Sequence, residues 1–414
     1  MLKNNKLTLI PAAYKTSKVY SQIPLNGDGD FSFTRNTKAT RVDSNGFLEV
    51  MDANTPRLDY SNGNCPELLM ERAATNLVTY SDDFSMSDWN KVSTTVESNA
   101  ELSPDGTMSA DKLQRTNTSA NYISTVASKS TSSAIDATAS VFVKKGNSNY
   151  VAVRFTGTYP NRYEINYNFE TGGLARRATG SFVGIEADFE DYGNGWIRLY
   201  LIATTDTTSR VAISIAAKSD NLWIDSPDPF TDTYCYLWGA QIEENIRATT
   251  YIPTSGSAST RDKDTLTDLT NIDVSSDDFT LFIDADYTEL TNSFGCISIN
   301  DGDDDNTLRI MNILSTDEVR VTNLVSGSAV NNFNIYHSTW GYKLKIAIAS
   351  TWNGFDVYVN GELAGSQTSG TIDMSSMTSI GFTDGAGDNF IGRLKDFRYY
   401  NVTLTEQELI TLTR

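Results

Sequence analysis

Apolar and polar residues alternate in short runs along most of the chain. SVFVKK, YVAVRF, RYEINYNF, WIRLYLIA, RVAISIAA, YCYLWGAQI, FTLFIDADY, LKIAIA and FDVYVNG all follow this rule. A period of two places alternate side chains on opposite faces of a strand. The runs are rich in Val, Ile, Tyr and Phe, and clusters of Gly, Asn, Asp and Ser separate them. Many short strands at such spacing predict an all-β chain of antiparallel sandwiches or barrels. Helical periodicity is nearly absent, and no long internal repeat is visible. The exception is the end of the chain, where Thr405-Glu406-Gln407-Glu408 has the spacing of a capping box. A short helix is expected there, with Leu404, Leu409 and Leu412 covering a sandwich.

A chain of 414 residues has room for about three domains. Residues 1–74 carry turn signals (LNGDGD, DSNG, YSNGN) and few long strands, as expected of an arm or collar with little core of its own. Residues 75–253 hold enough strand candidates for one sandwich, and residues 265–414 for a second. Between them TSGSASTRDKD, residues 254–264, is small, polar and aperiodic, and is read as a linker. Asn360-Gly361 is the signal of a type I′ hairpin turn, placing Phe355, Val357 and Val359 on one face and Asp356 and Tyr358 on the other.

Composition narrows the chemistry. The net charge of −19 argues against nucleic-acid or anionic-membrane binding. One His and three Cys exclude a His-rich metal site, a four-cysteine zinc site and a disulfide scaffold. The scattered Cys65, Cys235 and Cys296 are expected to be unpaired and mostly buried, as in a protein made in a reducing cytoplasm. The apolar patch LTLIPAAY is too short for a signal-peptide core, and no stretch is long enough for membrane insertion. Export by the general secretory route is therefore not expected; if the protein works outside a cell, it must leave by another route, such as lysis. No P-loop, dinucleotide-binding turn or nucleophile elbow is present, so no catalytic residues are assigned and the chain is not expected to be an enzyme.

Aromatic residues in turn-rich segments are the candidate binding residues, because sugars offer apolar C–H faces to aromatic rings. Tyr159 and Tyr163 lie in TGTYPNRY, and Trp223 and Phe230 in LWIDSPDPF. Tyr336, His337 and Trp340 lie in YHSTWGY. Trp89, Trp196 and Trp238 are assigned to the core. In the segment YCYLW both faces are apolar, so the open face cannot be read. The turn NDGDDDN spaces Asp301, Asp303 and Asp305 as alternate carboxylates, which makes Ca²⁺ the one candidate cofactor. It departs from the EF-hand loop, with Asn306 in place of the Gly and Asn312 in place of the final Glu.

Three stretches resemble known families. LTLIPAAYKTSKVYSQIP, FTRNTKATRVDSNGFLEV, TPRLDYSNGNCPELLMERAATNLVTYSDDF and Trp89 resemble the N-terminal parts of tailed-bacteriophage virion proteins of head-fibre and tail-fibre type. YLWGAQIEENIRATTYIPTSGSASTR resembles the closing strand of a jelly roll similar to carbohydrate-binding modules. FDVYVNGELAGS and IGRLKDFRYYNVTLTEQELITL resemble the concanavalin A-like, laminin-G-type lectin sandwich, which often holds calcium in a rim loop. Together these resemblances imply a fibre subunit located in the virion. It would be anchored to other virion proteins through residues 1–74, assembled as a homotrimer, and would attach to host surface glycans. The first residues would then order only on assembly. A decoration protein that binds no sugar is the alternative. A glycan depolymerase is a third reading, but glycosidases of the concanavalin fold often carry Glu-x-Asp-x-Glu on one strand. Here only Asp284 and Asp286 share a face, expected to be a solvent-facing pair on an outer strand.

Overall fold

The computed structural model describes residues 4–287, 295–303, 305–313, 316–351, 354–367, 374–383 and 389–414. Strands dominate, and their pairings are antiparallel. The chain forms two compact units: Met1–Lys38, Met51–Arg72 and Asp262–Arg414 make one, and Ala39–Val50 with Ala73–Arg261 make the other. No helix among the described residues is long and apolar enough to cross a membrane.

The unit built around Ala73–Arg261 is a sandwich of two six-stranded sheets. One runs, in spatial order, Asn90–Val92, Tyr122–Ser128, Arg210–Lys218, Tyr150–Thr156, Arg162–Asn168 and Leu174–Thr179. The other runs Thr94–Leu102, Met108–Arg115, Tyr234–Glu243, Asp136–Lys145, Trp196–Thr204 and Val183–Asp191. Val151, Val153, Phe155, Ile165, Leu199, Leu201, Cys235 and Leu237 meet in the core between them. Tyr236 and Trp238 point the other way, into a second apolar cluster with Val42, Leu48, Phe142 and Tyr251. The double-sided apolar pattern of YCYLW has this cause: both faces are covered.

The other unit is a second sandwich. Its larger sheet has at its centre Phe279–Asp286, flanked by Lys343–Thr351 and Gly392–Tyr400. Gly354–Val359 and Glu362–Gln367 extend one side. The far edge of Gly392–Tyr400 is completed by the start of the chain. Asn5–Leu9 pairs with one half, and Glu67–Met70, itself paired with Arg57–Asp59, with the other. A five-stranded sheet running in space from Ser328–Tyr336 to Ser379–Gly381 faces it across the core.

Residues 1–74 are therefore not an arm or collar with little core. Leu7, Leu9, Leu58, Leu68 and Met70 are buried in the core of their unit, and each such side chain contributes about 1.5–3 kcal/mol. They fold on strands from the other end of the same chain, so their burial does not require a second subunit. Residues 254–264 are no free linker either. Ser259–Arg261 pairs with Ala74–Asn76, and Asp264 is wholly buried. Its carboxylate receives Arg35 at 2.9 Å and Arg57, while Arg57 also meets Glu71 at 2.5 Å. A small polar run looked aperiodic because its work is done by one carboxylate rather than by an apolar stripe.

Local expectations hold elsewhere. Asn360 and Gly361 both have positive φ, 49° and 91°, as a type I′ turn requires. The helix Glu406–Thr413 begins where expected, with the Glu408 carboxylate accepting from the Thr405 backbone N–H at 2.9 Å and hydroxyl at 2.8 Å. Leu409 packs with Phe282, Ala347 and Tyr358, and Leu404 and Leu412 pack beside it. Trp89, Trp196 and Trp238 are buried. Asp284 and Asp286 lie on a strand paired on both sides, not on an outer one. Asp286 is buried with Lys343 at 3.5 Å.

Candidate functional site

The sequence-predicted aromatics separate into two groups once placed. Tyr163 is 6% exposed and belongs to the core. It lies one residue from Arg162 on the same strand, so the alternation that turns Arg162 outward turns Tyr163 inward. His337 is buried, stacked on Tyr342 at 4.2 Å, with Nδ1 3.0 Å from the Gly341 carbonyl and Nε2 3.4 Å from Asn312 Oδ1. Trp340 is half-buried against the core, and Tyr336 faces outward from the preceding strand. His337 and Trp340 are thus packed, and Tyr336 alone of the three stands exposed. Phe230 and Tyr159 are exposed, and Trp223 is half-buried.

Asp301, Asp303 and Asp305 serve the turn itself. Asp301 accepts from Asn306 Nδ2 at 2.7 Å, and Asp303 from the Asp305 backbone N–H at 2.9 Å. Among the described residues no group of three Asp, Glu, His or Cys comes together that could hold a metal ion. Asp304 lies outside the described residues.

Tyr159 and Trp223 are brought to a feature the sequence reading missed. On the outer face of the first six-stranded sheet, strand register sets Arg154 beside Glu164 and Glu164 beside Arg177. Arg162 stands on the same face as Glu164, two residues away. The inner faces of these strands supply Val153, Phe155, Ile165 and Tyr167 to the core, so the charged side chains can only project outward. Glu164 is wholly buried, with Arg177 Nη2 at 2.8 Å and Arg154 Nη2 at 3.2 Å.

The segment after the strand Arg210–Lys218 folds over this face and is pinned there. Ile224 is buried against Ala152 and Ala216. Its N–H donates to Glu164 Oε1 at 2.6 Å, and Asn166 Nδ2 donates to the Leu222 carbonyl at 2.7 Å. The Lys218 ammonium donates to the carbonyls of Ile224 and Ser226, both at 3.1 Å, and to Asn121 Oδ1 at 3.3 Å. Burial pushes the Lys218 pKa down to about 8, Arg115 adds to the fall, and Asp228 and Glu164 oppose it.

This pinning delivers two side chains to the arginines. Trp223 lies under Arg177, whose Cζ is 4.4 Å from the ring centroid, a cation–π contact. Asp225 places its carboxylate among all three guanidinium groups: Arg177 Nη2 at 2.9 Å, Arg154 Nη2 at 3.3 Å and Arg162 Nη2 at 3.5 Å. Burial alone would raise the Asp225 pKa, but Arg154, Arg177 and Arg162 outweigh it and hold the carboxyl below its usual range. On the far side Tyr159 is 75% exposed, with Arg162 Cζ 5.4 Å from its ring. Its turn is held by Asp206, which accepts from the Thr158 N–H at 2.8 Å and Asn161 Nδ2 at 2.9 Å. Three cations thus face two carboxylates, with aromatic rings at both ends. The signal was present in RYEINYN and LARRAT, but only cross-strand register aligns the charges.

A second concave region lies in the other unit. A cleft of about 610 Å³ runs between the C-terminal helix and the outer face of the larger sheet, lined by Asp284, Lys345, Asp396 and Arg398 among others. Its charges are paired along the sheet, with Arg398 and Asp396 bonded to each other and Lys345 3.9 Å from Asp284.

No protein-family model matches the chain, and no curated protein matches its sequence. Among solved structures the chain is similar to the CBM40 domain of the Ruminococcus gnavus IT-sialidase bound to α2,3-sialyllactose. The identity is 16%, over 34% of this chain and 84% of that one, with a TM-score of 0.29. It is also similar to the enzymatically active domain of bacteriophage CBA120 tailspike protein 4, at 12% identity over 40% of this chain and 21% of that one, TM-score 0.26. Domains LG4-5 of the mouse laminin α1 chain align at 7% identity over 80% of this chain and 94% of that one, TM-score 0.22. At such identities and scores these structures carry nothing about a ligand across to this chain.

Proposed function

We propose that the chain is a glycan-binding adhesion protein, and that the outer face of the first six-stranded sheet in the Ala73–Arg261 unit is its binding surface. The observation that carries this reading is the arginine group Arg154, Arg162 and Arg177, set between Trp223 and the exposed Tyr159. Aromatic faces take up the C–H side of a sugar ring, and guanidinium groups donate to its oxygens. The surface is preorganised because the 219–230 segment is fastened by Ile224, Lys218 and Asn166, so little ordering remains for a ligand to impose.

In the finer form of the proposal, the protein is a subunit of a bacteriophage head or tail fibre. It assembles as a homotrimer, attaches to other virion proteins and displays this surface to host glycans. The resemblance of residues 7–89 to fibre proteins supports that form. Several weak sites on one particle would then act together through avidity.

A glycan array probed with the full chain and with Trp223→Ala tests the coarse proposal. Binding to a subset of glycans, weakened about tenfold or more in the variant, is the expected result. Equal binding by both proteins, or none by the parent, would sink it.

A further inference from the structure

We infer that the three-arginine group is a receptor for the carboxylate of an acidic saccharide, and that Asp225 occupies the ligand's place when no ligand is bound. This deepens the glycan-binding reading and rests on it.

The argument begins with charge. Arg154 and Arg162 are 8% and 7% exposed, and the wholly buried Glu164 compensates only one positive charge of the three. Guanidinium groups this dry need a further anion. Asp225 supplies it, yet its side chain is 42% exposed and stands at the mouth of the group, not beneath it. The two carboxylates are therefore unlike. Glu164 is built into the sheet and also anchors the Ile224 N–H. Asp225 hangs from a turn whose backbone is fixed by other contacts: the Ser226 N–H donates to the Trp223 carbonyl at 3.0 Å, and Ile224 is buried. Rotation of one side chain would free the arginines without unfolding the turn.

The vacated position suits a carboxylate. Guanidinium forks match the planar two-oxygen geometry of a carboxylate, and Asp225 is itself a carboxylate satisfied there. The buried Nε–H of Arg154 has no hydrogen-bond partner among the described residues, and Arg162 Nε lies 3.6 Å from Glu164 Oε2, so the two carboxylates leave donor capacity in the group. Trp223 and Tyr159 flank the position and would take the ring that carries the acid. A tethered carboxylate is a competitor at high effective concentration, and it lowers the apparent affinity for any free acid.

The experiment uses the full chain, its Asp225→Asn and Asp225→Ser variants, and Arg177→Ala. The probes are D-glucuronate, its neutral methyl ester and glucose 6-sulfate, and the readout is the NMR shift of the Trp223 indole N–H and arginine Nε–H signals. Glucuronate is expected to shift these signals, and the ester is expected to bind about tenfold more weakly or not at all. Both Asp225 variants should bind glucuronate about tenfold more tightly than the parent, and Arg177→Ala should lose the response. Two substitutions at Asp225, each with its thermal midpoint measured, guard against one variant misfolding. Unchanged or weaker glucuronate binding in both folded variants would overturn the inference. So would equal binding of acid and ester, even though glycan binding itself would then stand. A response to the sulfate alone would overturn the carboxylate assignment. If no probe shifts any signal in any variant, the inference fails, and the array decides separately whether glycan binding fails with it.

Discussion

Asp264 shows what a single carboxylate can hold. It accepts from Arg35, from Arg57 and from the Glu71 N–H at 2.8 Å, and none of these side chains reaches solvent. Asp264→Ala would take the shared carboxylate from two buried guanidinium groups, leaving Arg57 with Glu71 and Arg35 with the carbonyls of Thr37 and Asp52. We expect a loss of about 3–5 kcal/mol, read as a lowered urea midpoint. A loss below about 1 kcal/mol would show that water or rearrangement satisfies the arginines. Asp225→Asn, at a carboxylate whose side chain is 42% exposed, should cost less than Asp264→Ala in the same assay. At this scale the sequence was legible where volume decides: Trp89, Trp196 and Trp238 are core because large apolar surface has nowhere else to go. It was illegible where parity decides. Tyr159 and Tyr163 sit four residues apart in one turn-rich string, yet one is exposed and the other buried, because the strand begins at Arg162.

Among the elements, the 219–230 segment depends on Lys218. Its folded-state pKa lies at about 8, below the ordinary lysine value of 10.5. Between those values the unfolded chain keeps the proton and the folded chain does not. Stability therefore rises with pH across that window, by up to about 3 kcal/mol at its upper end, and the penalty is fully present below it. Urea midpoints across the window should rise for the parent more than for Lys218→Met, and equal slopes would count against this account. The Met variant should also loosen the segment, seen as faster amide exchange at Ile224 and Ser226, because their carbonyl partner is gone. The hairpin at Asn360-Gly361 and the helix at Glu406 were readable in advance because turns and caps are local chemistry. The fastening of 219–230 was not, because its partners Glu164 and Asn166 lie far away in sequence.

For the whole molecule, the first residues matter more than their composition implied. Asn5–Leu9 covers the edge of Gly392–Tyr400, and Phe31–Thr34 pairs with Thr265–Leu266. Deleting residues 1–38 should expose that edge and part of the core of the unit. We expect a chain that aggregates, or one whose Asp262–Arg414 part is rapidly cleaved by protease while Ala73–Arg261 persists. A soluble deletion variant as protease-resistant as the parent would contradict this.

By itself the sequence determined that the chain is all-β, that its sheets are amphipathic, where several turns and the last helix lie, and which tryptophans are buried. Alternation, turn chemistry and side-chain volume act over a few residues, so they survive without neighbours. Only the tertiary structure decided that the first 74 residues are woven into both units. It also decided that 254–264 is structural and that Arg154, Glu164 and Arg177 stand in one row. These are pairings between distant segments. Alternation gives a strand two faces but does not name its partner, its register or the side that meets water.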